Sequence, residues 1–233
     1  MKIGRRLAIK ILNASKFTLS LAGDGTADMK SVSNPLDHAL LLKLASLVEA
    51  STNAFEEFDY ARALERTEQF FWRFTDDYVE LVKTRAYGSQ GVEEANSAHA
   101  ALSITLDTLL RLFAPFLPFV TAEVWSWSAS DSVHRATWPT HEDLLSQLSG
   151  EVDTELFDVA SETLSEVRRA KTEAKRSLKV EAESVVVSAD RGRLDLLELA
   201  RTDLMEAGNI SNLDLVEQQQ GTTRVEVTLA EEN

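Results

Sequence analysis

The sequence predicts a mainly α fold: a helical bundle, then a long helix and a small β-α-β-β α/β subdomain. Three observations predict it. Apolar residues recur at three- to four-residue spacing through most of the first part of the chain. Glycine and proline are scarce, nine and four among 233 residues, which leaves little room for long irregular regions. In the last third, short β-branched runs alternate with a helical pattern. The expected division is 1–148 for the helical domain and 149–233 for the long helix with the small subdomain. Hydrophobic residues make up 44% and charged residues 27%, a composition that supports a packed core.

Residues 2–21 read as an amphipathic helix. At about 100° per residue, Lys2, Arg5, Arg6, Lys10, Asn13, Lys16 and Phe17 fall within an arc of roughly 140°. Ile3, Leu7, Ile11, Ala14 and Thr18 lie across from them, and Gly23-Asp-Gly25 is the expected stop. Asn34-Pro35 opens a second helix that runs to about Ala54 on Leu40, Leu44, Leu47 and Val48. A third follows Asp59 and reaches about Tyr87. It carries Phe70, Phe71, Trp72, Phe74 and Tyr78, an aromatic set expected in the core. Gly88 to Gly91 form a break, and a fourth helix covers about 92–113. Pro115 and Pro118 end or restart it, a short helix spans Phe119–Ser128, and 129–142 read as a packed irregular loop. The long helix runs from about Asp153 to Leu178 on Leu156, Val159, Ala160, Leu164 and Val167. Ser184–Ser188 reads as a strand. Asp190 caps a helix that Gly208-Asn209 closes, and Leu213–Glu217 and Arg224–Leu229 complete the unit.

A net charge of −14 opposes polyanions over most of the surface. The positive charge is gathered in two places. Residues 1–16 hold Lys2, Arg5, Arg6, Lys10 and Lys16 with no acid. Residues 168–179 hold Arg168, Arg169, Lys171, Lys175, Arg176 and Lys179 against one acid, Glu173. Steps of 3, 4 and 4 put Arg168, Lys171, Lys175 and Lys179 on one stripe of the long helix. Each patch also has a plain reading, as a solvated face or, for the second, as a complement to the helix dipole.

Without cysteine, disulfides, thiolate metal sites and cysteine nucleophiles are excluded. His38, His99, His134 and His141 lack zinc-site spacing, so no metal site is expected. No apolar run is long enough to span a membrane, and the interrupted N-terminal segment reads as a helix rather than a signal peptide. Asp76, Asp77 and Glu80 share a helix, but no histidine or metal motif accompanies them. They are expected to make interhelix hydrogen bonds and to carry solvated charge. No catalytic residue is expected.

Three segments together resemble valyl-tRNA synthetases, a family of class I aminoacyl-tRNA synthetases, in the region after the catalytic core. Leu12-Asn-Ala-Ser-Lys-Phe17 is similar to the family's LWNASRF. Phe71-Trp-Arg-Phe-Thr-Asp-Asp-Tyr-Val-Glu-Leu81 is similar to its W-x-x-F-C/T-D-x-Y-L/V-E-L pattern. Ala114-Pro-Phe-Leu-Pro-Phe-Val-Thr-Ala-Glu-Val-Trp125 is similar to HPxxPFxTExxW, with Trp138-Pro139 following. The likeness is good over about 2–140 and loose over 150–180. The third segment is shared with isoleucyl and leucyl enzymes, and Asn13-Ala14-Ser15 tilts toward valine.

The resemblance implies a helical anticodon-binding domain whose partners are a tRNA, that of valine, and the catalytic domain of the same polypeptide. It implies that Lys10 and Phe17 contact the anticodon, and an aromatic side chain among cations suits an unstacked base. The His-x-Gly-His and Lys-Met-Ser-Lys-Ser elements of the catalytic core do not occur. The chain is therefore expected to bind tRNA in the cytoplasm without catalysing a reaction, holding no cofactor of its own and leaving ATP to the catalytic domain. The β-α-β-β unit departs from the coiled-coil arm in which the family's enzymes often end. Two rivals remain: the equivalent domain of an isoleucyl or leucyl enzyme, and a helical module that binds a protein partner without RNA.

Overall fold

The computed structural model describes residues 2–22, 29–146, 148, 152–218 and 222–231, with Lys2, Ile3 and Ala22 as backbone only. The expected stop at Gly23-Asp-Gly25 lies outside the described residues. Helices α1 (Lys2–Ala22), α2 (Pro35–Glu56), α3 (Tyr60–Arg73), α4 (Val79–Ala86), α5 (Val92–Phe113), α6 (Pro118–Trp125) and α7 (His141–Leu145) build the bundle. Helix α8 (Glu155–Glu173) leads to β1 (Ala182–Ala189), α9 (Arg191–Leu199), α10 (Arg201–Gly208), β2 (Leu213–Glu217) and β3 (Arg224–Leu229). The mainly α reading with a small α/β unit holds.

Local chemistry explains most boundaries. Asn34 Oδ1 accepts from the Leu36 N–H at 2.9 Å and Pro35 fills the first turn, so α2 starts where the sequence predicts. Asp59 caps α3 by accepting from the Arg62 N–H at 3.1 Å. Gly88 and Gly91 take φ of 92° and 97°, values that only glycine adopts without strain, and so separate α4 from α5. The central helices are α2 and α5, where Leu36, Leu40, Leu41, Leu44 and Leu102 are fully buried.

Three departures have physical causes. The predicted third helix is α3 and α4 joined by a π-turn at Phe74–Tyr78, in which the Val79 N–H donates to the Phe74 carbonyl. Phe74 and Tyr78 are buried there while Asp76 stays exposed. Helix α8 stops at Glu173, short of the expected Leu178. The Lys175 N–H donates to Thr172 O and the Arg176 N–H to Lys171 O, both at 2.9 Å, which is a Schellman closure. Lysine occupies its left-handed position, with φ 56°. The helix expected after Asp190 divides at Ala200 (φ −103°, ψ 8°) into α9 and α10.

The sheet order is β2-β1-β3, with β1 parallel to β2 across the α9–α10 connection and antiparallel to β3. Val185 pairs with Leu213 on one side and Val227 on the other. One apolar cluster runs from Leu7 and Ile11 through α2, α5 and α8 to Val185 and Leu213.

A polar clasp joins bundle and sheet unit. Arg85 of α4 is fully buried. Its Nη1 and Nη2 donate to Asp37 of α2 at 2.9 and 2.6 Å, and its Nε donates to both Asp203 oxygens of α10 at 3.0 Å. Tyr78 Oη and Ser97 Oγ also donate to Asp37, at 2.7 and 2.6 Å, and Gln90 Nε2 donates to Asp203 at 2.9 Å. Burial pushes the Asp203 carboxyl up to about 6, against the pull of Arg85. Burial and the neighbouring Asp37 charge hold the Tyr78 phenol well above its usual range.

Candidate nucleic-acid interface

Helix α1 buries Leu7, Ile11, Ser15 and Thr18, a stripe at helical spacing, and packs it mainly on α5. That leaves the predicted basic face outward. Arg5, Arg6, Asn13 and Lys16 are exposed, whereas Lys10 and Phe17 are half-buried at the edge that meets α3 and α4. The Lys2 side chain lies outside the described residues. Arg5, Arg6 and Lys16 pair with no carboxylate among the described residues.

Aromatic rings punctuate this face. The Arg6 guanidinium sits 5.8 Å and the Lys10 ammonium 5.5 Å from the Trp72 ring centre. Lys16 Nζ lies 5.9 Å from the Trp127 ring, and Lys83 Nζ of α4 lies 5.1 Å from that of Phe17. Phe17 also packs against the core cluster, so one part of its ring is anchored.

The two basic patches meet at the π-turn. Lys10 Nζ donates to Asp76 Oδ1 at 2.7 Å, and Arg168 Nη1 of α8 donates to the Asp76 carbonyl at 2.8 Å. Arg168 also lies 3.6 Å from Asp77 Oδ1. Burial holds the Asp77 carboxyl above its usual range; Arg168 and Arg73 pull it down only in part, and Asp76 adds to the rise. Asp76 and Asp77 thus make the interhelix contacts expected of them, while Glu80 pairs with Lys83 along its own helix at 3.6 Å.

The rest of the second patch does not form the predicted stripe. Lys171 is 1% exposed, and its Nζ donates to Gly208 O at 2.6 Å and Leu178 O at 3.1 Å. It ties α8 to the end of α10, and burial, with Arg168 as a second cause, lowers its ammonium below the usual lysine range. Lys175 and Lys179 lie beyond the end of α8, exposed beside the sheet unit, because the Schellman closure turns the chain away.

The reading of the aromatic set as core needs one correction. Phe71, Phe74 and Tyr78 are buried, but Phe70 and Trp72 are only half-buried. Trp72 donates from Nε1 to Glu68 Oε1 at 3.1 Å, and the spacing of four between these residues is the one sign in the sequence of a ring held at a surface. Among the described residues no helix is long and apolar enough to cross a membrane.

The family described as "Anticodon-binding domain of tRNA ligase" matches residues 37–187, from α2 into β1. The chain belongs to that family. This sets aside the helical protein-interaction module as the main reading. Helix α1 precedes the matched stretch, but individual relatives extend over it. The chain is 51% identical to the valine–tRNA ligase of Thermobifida fusca (strain YX) over 231 residues, 99% of this chain and 26% of that protein. It is 46% identical to the valine–tRNA ligase of Salinispora tropica over 232 residues, 93% of this chain and 27% of that protein. With the valine–tRNA ligase of Cutibacterium acnes it shares 44% over 215 residues, 91% of this chain and 24% of that protein. The chain therefore spans about a quarter of the length of these curated relatives.

Proposed function

We propose that the outward face of α1 holds the anticodon stem and loop of a tRNA, that of valine, and that these residues bind without catalysing a reaction. One observation carries the reading. On a chain of net charge −14, Arg5, Arg6 and Lys16 stay exposed and pair with no carboxylate among the described residues, on a helix that also presents Phe17. Membership of the anticodon-binding family and the names of the relatives support it.

Arg5, Arg6 and Lys16, with Lys2, hold phosphates, which fixes position without reading sequence. Phe17 and Asn13 face loop bases. An ammonium has three donors, so Lys10 keeps Asp76 while donating to a base. Lys175 and Lys179 add backbone contacts on the sheet side, Arg168 sets the π-turn that orients Lys10, and Lys171 is left out because it is spent inside the fold. Adenylate chemistry with ATP belongs to the part of the polypeptide outside these residues, in the cytoplasm.

The test is a binding titration with valine tRNA at two salt concentrations, beside isoleucine tRNA and a valine tRNA with a substituted anticodon. The expected result is a salt-dependent preference for intact valine tRNA, weakened by Lys10→Ala and Phe17→Ala. Equal binding of all three tRNAs removes anticodon reading, and preference for isoleucine tRNA transfers the domain to another enzyme.

A further inference from the structure

Two open grooves flank Trp72. One, of about 410 Å³, is lined by Arg6, Leu7, Glu68, Trp72 and Asp76. The other, of about 360 Å³, shares Glu68 and Trp72 and adds Leu64 and Gln69 of α3. We propose that the groove between α1 and α3 is a second nucleobase slot. In it Trp72 stacks an unpaired base of the bound tRNA, and the Glu68 carboxylate accepts from that base's exocyclic amino group.

The chemistry of the walls selects a base over a phosphate. Arg6 brings a positive charge to the slot and Glu68 and Asp76 bring two negative ones, with Lys10 paired to Asp76 at its edge. A phosphate entering there meets both carboxylates, whereas a neutral base meets an aromatic face, apolar Leu7 and hydrogen-bonding groups. The ring is already held at its Nε1 edge by its bond to Glu68, so little order is lost when a base stacks on it. Arg6 stands 5.8 Å from the ring centre. Two stacking intervals of about 3.5 Å each span about 7 Å, so Arg6 withdraws by about 1 Å to close a Trp72–base–Arg6 sandwich with its guanidinium plane, its edge N–H donors remaining available to a phosphate outside the slot. A carboxylate accepts and cannot donate, so the exocyclic amino groups of cytosine, adenine and guanine suit it, whereas uracil's one donor at that edge, N3–H, is flanked by two carbonyl oxygens that the carboxylate repels.

This slot rests on the reading of α1 as a tRNA-binding face. Its test uses the 233-residue chain and anticodon stem-loop RNA of valine tRNA in which each unpaired nucleotide is made abasic in turn. At one position the abasic RNA is expected to bind about 5- to 150-fold more weakly, the range for loss of one stacked base. Trp72→Leu weakens the intact RNA similarly, and the two losses do not add, because additivity fails for groups in contact. Trp72→Phe keeps the stacking face and retains binding within about threefold of the parent. Glu68→Gln, whose amide oxygen still accepts from Trp72, removes the discrimination against uridine at that same position. That variant leaves the packing of Trp72 intact, so it decides the matter even where Trp72→Leu fails to fold. Losses that add at every position, or unchanged base preference in Glu68→Gln, overturn the slot while leaving the α1 reading in place. No binding of any stem-loop by the parent chain overturns both.

Discussion

Arg85 of α4 has no solvent exposure and is enclosed by the carboxylates of Asp37 and Asp203, whereas Arg6 of α1 is exposed, lies over Trp72 and forms no ion pair among the described residues. Both belong to a chain with 38 acidic against 24 basic residues, where almost any cation can find a carboxylate. In the clasp that supply is used to the full: Nε and both Nη of Arg85 are bonded, and nothing of its charge reaches a ligand. On α1, among the described residues, Lys10 with Asp76 is the one ion pair. The difference teaches that the proposed tRNA-binding face is marked by an absence of ion-pair partners rather than by a surplus of charge.

The comparison breaks most visibly at the clasp. Arg85→Met leaves Asp37 and Asp203 buried without their counter-ion and is expected to cost about 3–5 kcal/mol, read from urea unfolding. Arg85→Lys recovers little, because an ammonium cannot reach both carboxylates as a fork does. A loss under about 1 kcal/mol in Arg85→Met shows that the clasp is dispensable.

The next effect depends on pH. The Asp203 carboxyl is raised from 3.8 to about 6 in the folded state, so the fold binds that proton more tightly than the unfolded chain does. Its contribution is therefore full below about pH 4 and is lost as pH rises through about 6. Arg85, Asp37, Gln90 and Tyr78 face it and are unchanged in Asp203→Asn. Relative to that variant, the parent is expected to lose up to about 3 kcal/mol between pH 4 and 7, followed by urea midpoints. Parallel profiles for the two proteins contradict the raised carboxyl.

The smallest effect on stability sharpens the contrast. Replacing Arg5, Arg6 and Lys16 together by alanine leaves unfolding within about 0.5 kcal/mol. The slope of log affinity against log salt for tRNA falls by about 2, as three phosphate contacts are lost. A large drop in stability instead makes these residues part of the scaffold.

The fold was legible wherever local chemistry announced it. Asn34, Asp59, Asp190 and the glycines of 88–91 mark real boundaries. The end of α8 was hidden because a lysine, not a glycine, takes the left-handed position at residue 175. The break at Ala200 carries no glycine or proline. Helical periodicity placed the α1 face correctly. The same periodicity misplaced Lys171, because a cation at regular spacing says nothing about carbonyls that meet it from α10. The clasp was invisible for a like reason: Asp37 and Asp203 lie 48 and 118 residues from Arg85, and each alone resembles a solvated charge.

The π-turn at Phe74–Tyr78 sets the rotational indexing of everything beyond it. One residue added to a helical rod turns the following segment by about 100° about its axis. Lys83 and Arg85 both lie on that segment, one against Phe17 on α1 and the other against Asp37 in the core. Their bearings are therefore geared together. Removing a single residue between 74 and 78, a change scarcely visible in composition, would swing the ammonium away from Phe17 and the guanidinium out of its socket in one motion.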